Sequence, residues 1–135
     1  MTTVKAGCYL VDTKTKCIAL IYREHLNDFS FPKGHLEPNE SLEDCAVRET
    51  AEETKRDAQI MKSIPPIIER YTTPKGEKCE CHMFVAVDIG KSDNTSADTH
   101  DLIWTPIEDV ENKLSYDGLK THWMIALPKI MDLLK

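Results

Sequence analysis

The chain has 135 residues, of which 41% are hydrophobic and 30% are charged, and its formal net charge at pH 7 is -6. This length suits one compact domain spanning residues 1–135 and leaves little room for a second hydrophobic core. The negative charge weighs against a nucleic-acid partner, because it provides no general attraction for a phosphate backbone. An acidic chain can still hold a polyphosphate where divalent cations bridge carboxylates to phosphate oxygens, so clustered Glu and Asp become the feature of interest.

Cysteine number and hydropathy indicate the expected compartment. The chain has five cysteines, an odd number, and residues 1–9 show neither the basic start nor the apolar stretch of a secretory leader. No apolar run approaches the roughly 20 residues that a bilayer span requires. We therefore expect a cytoplasmic protein with reduced thiols and no membrane partner. Both a monomer and a homodimer are compatible with the sequence.

The first predicted elements are two strands followed by a long loop. Residues 4–11 and 17–22 are rich in β-forming residues and are separated by the polar run 12–16, which predicts a hairpin. The segment 24–39 contains two prolines and a glycine that block regular structure and permit tight turns. It is predicted to be a loop of the kind in which function often resides.

A helix is predicted from Ser41 to about Lys55. Apolar residues recur there at helical spacing, and Ser41 followed three residues later by Asp44 resembles a capping box. This helix is the central element of the prediction.

The second half of the chain predicts more sheet and a closing helix. Residues 58–68 and 79–87 are predicted to belong to the sheet, and residues 102–106 suit a short strand. The polar run 91–99 predicts a loop, and apolar residues at helical spacing predict a helix over 119–134. Strands around a central helix, with a terminal helix, indicate an α/β or α+β sandwich.

Three carboxylates lie on one face of the predicted central helix. At about 100° per residue, Glu52 and Glu53 fall roughly 60° to one side and 40° to the other of Glu49. Like charges at these spacings repel by a few tenths of a kcal/mol per pair unless a cation offsets them. Because Mg²⁺ prefers oxygen ligands, the cluster indicates a metal platform. The alternative is a solvated helix face on which Arg48 pairs with Glu52.

The residues around this cluster resemble the box of the Nudix family, G-x5-E-x7-R-E-U-x-E-E-x-G-U, in which U is a bulky apolar residue. Every charged position matches at the required spacing in the run Gly34-x5-Glu40-x7-Arg48-Glu49-Thr50-x-Glu52-Glu53. The resemblance implies a Nudix fold over essentially the whole chain, an α/β/α sandwich around a mixed sheet, with the box forming a loop, a helix and a loop. It also implies hydrolysis of a phosphoanhydride bond in a nucleoside diphosphate linked to a further group.

The resemblance assigns roles to the box residues, with Mg²⁺ or Mn²⁺ as the cofactor. Metal binding falls to four of them: Gly34 through its carbonyl, Glu49, Glu52 and Glu53. Glu40 would hold Arg48, and Arg48 would orient the metal-binding helix.

Three positions depart from the box, although none of them removes a ligand. Lys55 stands where the motif has Gly, Arg56 stands at an apolar position, and Thr50 stands at the other one. Gly at a helix end usually supplies a left-handed cap, whereas these two cations could favour the negative end of the helix dipole. The departures bear on the second loop and on the packing after the helix.

Hydrolysis requires a nucleophilic water and charge neutralisation on phosphate, which bound divalent metal supplies. The family takes the water's proton with a Glu of the box helix or an acidic residue of a later loop. Glu52 and Glu53 are therefore catalytic candidates, with Glu52 favoured as the base. Asp98 is the second candidate for the base, because it precedes Trp104 by six residues, a spacing at which family members often carry Glu. An ordinary polar loop is its alternative, and two neighbours compete with it: His100 and Asp101.

The run Pro-Lys-Gly-His at residues 32–35 resembles the diadenosine tetraphosphate hydrolases of the family. It implies a nucleotide polyphosphate substrate, cleaved to ATP and AMP, with Lys33 contacting phosphate and His35 as a secondary contact. That subfamily also has a phosphate-binding Lys on a later strand and an adenine-stacking Tyr near the terminal helix, and the candidates are Lys78 (or Lys75) and Tyr116. The alternatives are a turn kept soluble by its charges and a Tyr that caps the core.

Other functions remain open from the sequence. Within the family these are a nucleoside triphosphate pyrophosphatase, a nucleotide-sugar hydrolase and a catalytically silent nucleotide-binding module. A further alternative is a soft-metal or redox site at Cys79-Glu80-Cys81-His82, although a strand would place both cysteines on one side and the histidine on the other.

Overall fold

A computed structural model describes all residues from Met1 to Lys135, and its eight strands form one mixed sheet flanked by helices. The strands are β1 (Thr2–Asp12), β2 (Cys17–Arg23), β3 (Asp28–Ser30), β4 (Lys33–His35), β5 (Arg56–Ile60), β6 (Ile67–Thr72), β7 (Lys78–Lys91) and β8 (Asp101–Pro106). The helices are α1 (Leu42–Thr54), α2 (Val110–Lys113) and α3 (Asp117–Leu133), with single 3-10 turns at Glu24–Leu26 and Ile107–Asp109. The α/β class predicted from the sequence is confirmed.

The sheet runs in the order β3-β2-β1-β7-β5, with β4 added to β1, β6 to β7 and β8 to β2. The β1–β7 pair is parallel, and the other pairs are antiparallel. No helix in the structure combines the length and the hydropathy needed to cross a membrane.

Strands β1 and β2 separate soon after their hairpin, and this separation makes room for the box loop. They pair only at Val11 with Ile18 and at Asp12 with Cys17, after which β1 pairs with β4, with Ala6 opposite Gly34. A side chain at Gly7 would lie 2.1 Å from the Pro32 carbonyl oxygen. The close approach of β4 therefore depends on glycine in β1.

The two faces of the sheet bury different kinds of residue. The core between the sheet and α1 consists mainly of small side chains from the strands and the helix: Ala6, Cys8, Ala19, Cys45, Ala46, Ala58 and Ala86. The core between the sheet and α3 contains large ones: Tyr9, Ile18, Leu20, Phe31, Met83, Trp123 and Ile130. Small residues allow α1 to approach the strands closely, whereas the opposite face forms the larger core.

Both ends of α1 are capped. The Ser41 hydroxyl accepts a hydrogen bond from the Asp44 N–H at 3.0 Å, as the capping-box pattern predicts. At the other end, Lys55 adopts the left-handed conformation at φ 59°, and its N–H donates to the Ala51 carbonyl. Lys55 thus supplies the left-handed turn that the motif usually assigns to glycine.

Three predicted elements differ from the structure. The segment 24–39, predicted to be a loop, contains β3 and β4, because β3 pairs with the end of β2 across a short turn and β4 pairs with the distant β1. The predicted sheet segment 58–68 is divided into β5 and β6 by residues 61–66, where two prolines interrupt the pairing. Strand β7 extends to Lys91, four residues beyond the prediction, because β5 pairs along it.

Candidate active site

The candidate site lies where β4 meets α1. A side chain at Gly34 would lie 2.2–2.3 Å from the carboxylate atoms of Glu49, so the Glu49 carboxylate occupies the space beside the glycine. The Cys45 thiol lies 3.7 Å from the Gly34 carbonyl oxygen. The box glycine is therefore required for contact between the strand backbone and the carboxylate helix.

Arg48 connects the box loop to three of the carboxylates. Its Nε and Nη2 donate to Glu40 at 2.7 and 3.0 Å, and Nη2 also donates to the His35 carbonyl at 3.0 Å. Its Nη1 donates to Glu49 at 3.0 Å and to Glu52 at 3.3 Å. The hydrogen bonds from Arg48 to Glu40 hold the pKa of Glu40 below its usual value. The arrangement places a positive charge between two carboxylates that would otherwise repel.

Glu53 is the most perturbed acid of the site. Its Oε1 accepts a hydrogen bond from the Lys33 N–H at 2.9 Å, and its Oε2 lies 3.9 Å from His100 Nε2. Burial, with the charge of Glu49, raises the pKa of Glu53 to about 7, although the Lys33 N–H opposes the shift. The pKa of Glu49 is also raised, first by burial and then by the charge of Glu52. These carboxylates lack enough compensating positive charge within the protein.

The residues present fit a hard divalent cation. Glu49, Glu52 and Glu53 offer oxygen donors, the site carries excess negative charge, and Arg48 already stands between two of the carboxylates. No three His, Cys, Asp or Glu side chains form a preformed metal cage. Metal binding would therefore rely on donors that water and substrate phosphate complete.

The segment 92–100, here called the acidic-site loop, lies against the C-terminal end of α1. The His100 N–H donates to the Glu53 carbonyl at 3.1 Å, and the Thr99 hydroxyl lies 3.4 Å from the Glu52 carbonyl. The charge of Asp98 contributes to the raised pKa of Glu49. The loop therefore places His100 against Glu53 and carries the exposed Asp98 close enough for its charge to act on Glu49.

The other loop candidates have different surroundings. The His100 ring stacks on His25 with centroids 6.1 Å apart, and burial, followed by the charges of His25 and Arg23, lowers the pKa of His100. Asp101 begins β8 opposite Tyr22 and is exposed. His100 is therefore the neighbour that contacts the box, and its sequence signal was only its position beside Asp98.

A network beside the site was missed from the sequence. Arg23 Nε and Nη2 donate to Asp28 at 2.8 and 2.7 Å, and the Tyr116 hydroxyl donates to the same carboxylate at 2.6 Å. Burial raises the pKa of Asp28, but these hydrogen bonds outweigh it and hold the pKa below its usual value. The Tyr116 side chain remains 46% exposed, which leaves its ring available for a ligand. The only sign of this network in the sequence was the pair of opposite charges, Arg23 and Asp28, on either side of the β2–β3 turn. It was not recognised because residues 24–39 were predicted to be a loop.

The structure separates the two candidate phosphate-binding lysines. Lys33 Nζ donates to the Ser30 hydroxyl at 2.8 Å, and burial with the charge of Arg23 lowers the pKa of Lys33. Lys78 lies at the start of β7, opposite Thr2 of β1. Thr2 is three strand positions, or roughly 10 Å, from Lys5, the residue of β1 that pairs with His35 of β4. Only Lys33 therefore lies next to the carboxylates.

The remaining candidates lie at the surface. The His35 side chain is exposed, and only its carbonyl contacts Arg48. Lys75 is exposed in the turn before β7. Lys5, which the sequence did not single out, donates to the Tyr71 hydroxyl at 3.1 Å.

The cysteine-rich strand does not form a shared ligand set. Cys79 and Cys81 are buried, whereas His82 Nε2 lies 2.8 Å from the Glu80 carboxylate. The strand therefore provides no preformed group of three metal ligands.

Comparison with known proteins identifies a family match. The family model described as NUDIX domain matches residues 1–124. An 8-oxo-(d)GTP phosphatase from Mycolicibacterium smegmatis is 28% identical over 99 residues, covering 73% of this chain and 30% of that protein. The chain spans about a third of the length of the curated relatives it matches.

Two solved structures share the fold over nearly their full length. An Ap4A hydrolase from C. elegans, solved as a binary complex, has a TM-score of 0.76 at 22% identity, covering 98% of this chain and 97% of that chain. A NUDIX hydrolase from Nitrosomonas europaea has a TM-score of 0.76 at 19% identity, covering 100% and 97%. At these identities the likeness concerns the fold.

Proposed function

We propose a function from the premise that this chain belongs to the Nudix family, whose members hydrolyse nucleotide-linked substrates. The chain is a divalent-metal-dependent hydrolase that cleaves a phosphoanhydride bond, and its substrate is diadenosine tetraphosphate, yielding ATP and AMP. The whole of residues 1–135 serves as one catalytic unit. The observation that carries the proposal is the grouping of the box carboxylates: Arg48 pairs with Glu40, Glu49 and Glu52, and Glu49 and Glu53 lie against β4.

The cation would be held by the carboxylates of Glu49, Glu52 and Glu53 and by the carbonyl of Gly34. When bound, Mg²⁺ or Mn²⁺ activates water and neutralises charge on the phosphate oxygens. Arg48 keeps Glu49 and Glu52 in place, and its own orientation is fixed by the two hydrogen bonds to Glu40.

The proton of the attacking water is accepted by an oxygen of Glu52, with Asp98 as the second candidate. Arg48 Nη1 donates to both carboxylate oxygens of Glu52 at 3.3 Å, and these contacts fix the position of the Glu52 side chain. Asp98 lies in the acidic-site loop, close enough for its charge to act on Glu49. Comparison of Glu52→Gln with Asp98→Asn distinguishes them, because loss of the base lowers kcat more than KM at neutral pH.

The substrate assignment rests on groups outside the metal site. The backbone N–H of Lys33 donates to Glu53, and its ammonium group, which donates to Ser30 Oγ in this structure, would contact a phosphate of a bound nucleotide. The exposed ring of Tyr116 would stack on a base. Lys78 would contact a phosphate farther from the carboxylates, and His35 would make a peripheral contact. A nucleoside triphosphate is the second candidate substrate, favoured by the similarity to an 8-oxo-(d)GTP phosphatase.

The test is turnover of diadenosine tetraphosphate, nucleoside triphosphates including 8-oxo-dGTP, ADP-ribose and nucleotide sugars, with Mg²⁺ and without it. Glu53→Gln is measured beside Glu43→Gln, a matched control because Glu43 is an exposed acid of the same helix. We expect ATP and AMP from the dinucleotide only with metal, a large loss in Glu53→Gln and none in Glu43→Gln. Preference for another substrate would overturn the dinucleotide assignment, and turnover that is independent of metal would overturn the chemistry.

A further inference from the structure

Lys55 links the end of α1 to the acidic-site loop. Its ammonium group donates to the Ser96 carbonyl at 2.6 Å, to the Glu52 carbonyl at 3.2 Å and to Asn94 Oδ1 at 3.4 Å. An ammonium group has three N–H donors, so these three acceptors use its full capacity. A glycine, which the box usually has at this position, could form the same helix end but none of these contacts.

Backbone contacts extend the same junction. The Ser92 N–H donates to the Lys55 carbonyl at 2.9 Å, and the His100 N–H donates to the Glu53 carbonyl at 3.1 Å. Segment 92–100 has no strand or helix of its own, so its position depends on contacts of this kind. Lys55 is the only side chain of α1 or its cap that bonds to the middle of this loop.

Hydrogen bonds within the loop connect the residues that Lys55 contacts to Asp98. The Ser96 N–H donates to Asn94 Oδ1 at 2.8 Å, and the Asp98 N–H donates to the Ser96 hydroxyl at 3.1 Å. Asp98 is therefore one hydrogen-bonded turn from Ser96 and two from Asn94, the two loop residues that accept hydrogen bonds from the ammonium group.

We propose that Lys55 is a positioning residue that holds the acidic-site loop in place, so that Asp98 and His100 remain beside the box carboxylates. The role rests on the proposed function, since it concerns the same metal-dependent hydrolysis. It makes the replacement of the box glycine by lysine a functional feature of this chain. The helix end also favours a cation, because the last carbonyls of α1 carry partial negative charge.

The first test compares Lys55→Gly, Lys55→Arg and Lys16→Gly by hydrogen exchange of the metal-free protein. Lys16 is the matched control, because it also has a left-handed backbone, at φ 57°, but is exposed in the β1–β2 turn. We expect Lys55→Gly to fold, since glycine accepts this backbone, and to raise exchange at Ser92 and His100 roughly tenfold. Lys55→Arg should restore protection, and Lys16→Gly should leave these amides unchanged. Unchanged exchange in Lys55→Gly would overturn the positioning role.

The second test is a mutant cycle in turnover. Lys55→Gly should lower kcat roughly tenfold with a smaller change in KM, as is common for groups that orient a metal site. In a background of Asp98→Asn with His100→Gln, the same substitution should have no further effect, because its route to the site has been removed. If Lys55→Gly lowered kcat by the same factor in this background as in the wild type, Lys55 would act through other residues, and the proposal would be overturned. Wild-type protein inactive on every nucleotide would overturn the proposed function, and the exchange comparison would still decide the structural link.

Discussion

The two faces of the sheet pack against their helices through side chains of different size. Under α1 the contacts are made mainly by alanine and cysteine, and this places a charged helix close to the strand that carries Gly34. Under α3 the rings of Tyr9, Phe31 and Trp123 lie 4.8–5.9 Å apart and form an aromatic cluster. The α1 face therefore fixes the positions of the acids, and the α3 face provides most of the burial of large side chains. Activity and stability should respond separately to substitutions on the two faces.

The largest expected effect is the loss of activity in Glu53→Gln. Turnover should fall about a hundredfold or more, because a proposed metal ligand is lost, whereas the fold should remain intact. Steady-state kinetics with Mg²⁺, together with circular dichroism, measures both quantities. Retained turnover in a folded variant would remove Glu53 from the site.

On the opposite face, Trp123→Ala should lower the free energy of unfolding by about 3–5 kcal/mol. Trp123 is 1% exposed and packs on Tyr9 and Phe31, so its removal leaves a cavity. Urea unfolding measures the loss, and kcat at low temperature should stay within a factor of about three for protein that remains folded. A large loss of kcat without loss of stability would contradict the division between the faces.

The metal-free protein should lose stability as pH rises. The pKa of Glu53 is raised from 4.5 to about 7 in the folded state, so the folded state binds more protons than the unfolded state within that window. Stability from this group is present below pH 4.5 and is lost through about pH 7, by about 3 kcal/mol in total. Urea unfolding at pH 5 and pH 8 measures the change, which should be smaller in Glu53→Gln. An equal pH dependence in both proteins would show that other groups cause it.

The α1 face should be sensitive to added volume. Ala46 is fully buried, so Ala46→Val forces the helix away from the strands and should cost about 1–3 kcal/mol. It should also lower kcat, because the acids move with the helix, unlike substitution at Trp123. Unfolding and turnover on the same preparation test this, and a loss of stability with unchanged kcat would show that the acids tolerate helix displacement.

The smallest effect is expected at Thr50, which occupies an apolar position of the box. Its hydroxyl is buried, and its one polar neighbour is the weakly hydrogen-bonding Cys8 thiol. Thr50→Val should therefore stabilise the protein by about 1 kcal/mol with little effect on turnover. A destabilised Val variant, measured by urea unfolding beside Thr50→Ser, would show that the hydroxyl makes a contact after all.

The α1 side of the molecule could be predicted from the sequence in most of its detail. The helix boundaries, the Ser41 cap and the grouping of the acids depend on local spacing, which the sequence displays directly. Strands β3 and β4 could not be predicted, because three-residue strands are stable only when paired with β2 and β1.

The contacts that complete the site were also hidden. The hydrogen bond between Tyr116 and Asp28 spans 88 positions of the chain, and the Lys55 contacts span up to 41 positions. The replacement of the box glycine by Lys55 was visible in the sequence, but the residues that Lys55 contacts were not. Lys33 and Lys78 were both assigned to phosphate binding from the family resemblance, and strand register separates them.

The most direct test of the central claim, that the α1 acids bind a divalent cation, is Mn²⁺ binding to the substrate-free protein, measured by electron paramagnetic resonance. The proteins compared are wild type, Glu49→Gln, Glu53→Gln and the control Glu43→Gln. The metal-site account predicts binding in the wild type and in Glu43→Gln, with affinity at least about tenfold weaker in the other two. Equal Mn²⁺ affinity in all four proteins would contradict it.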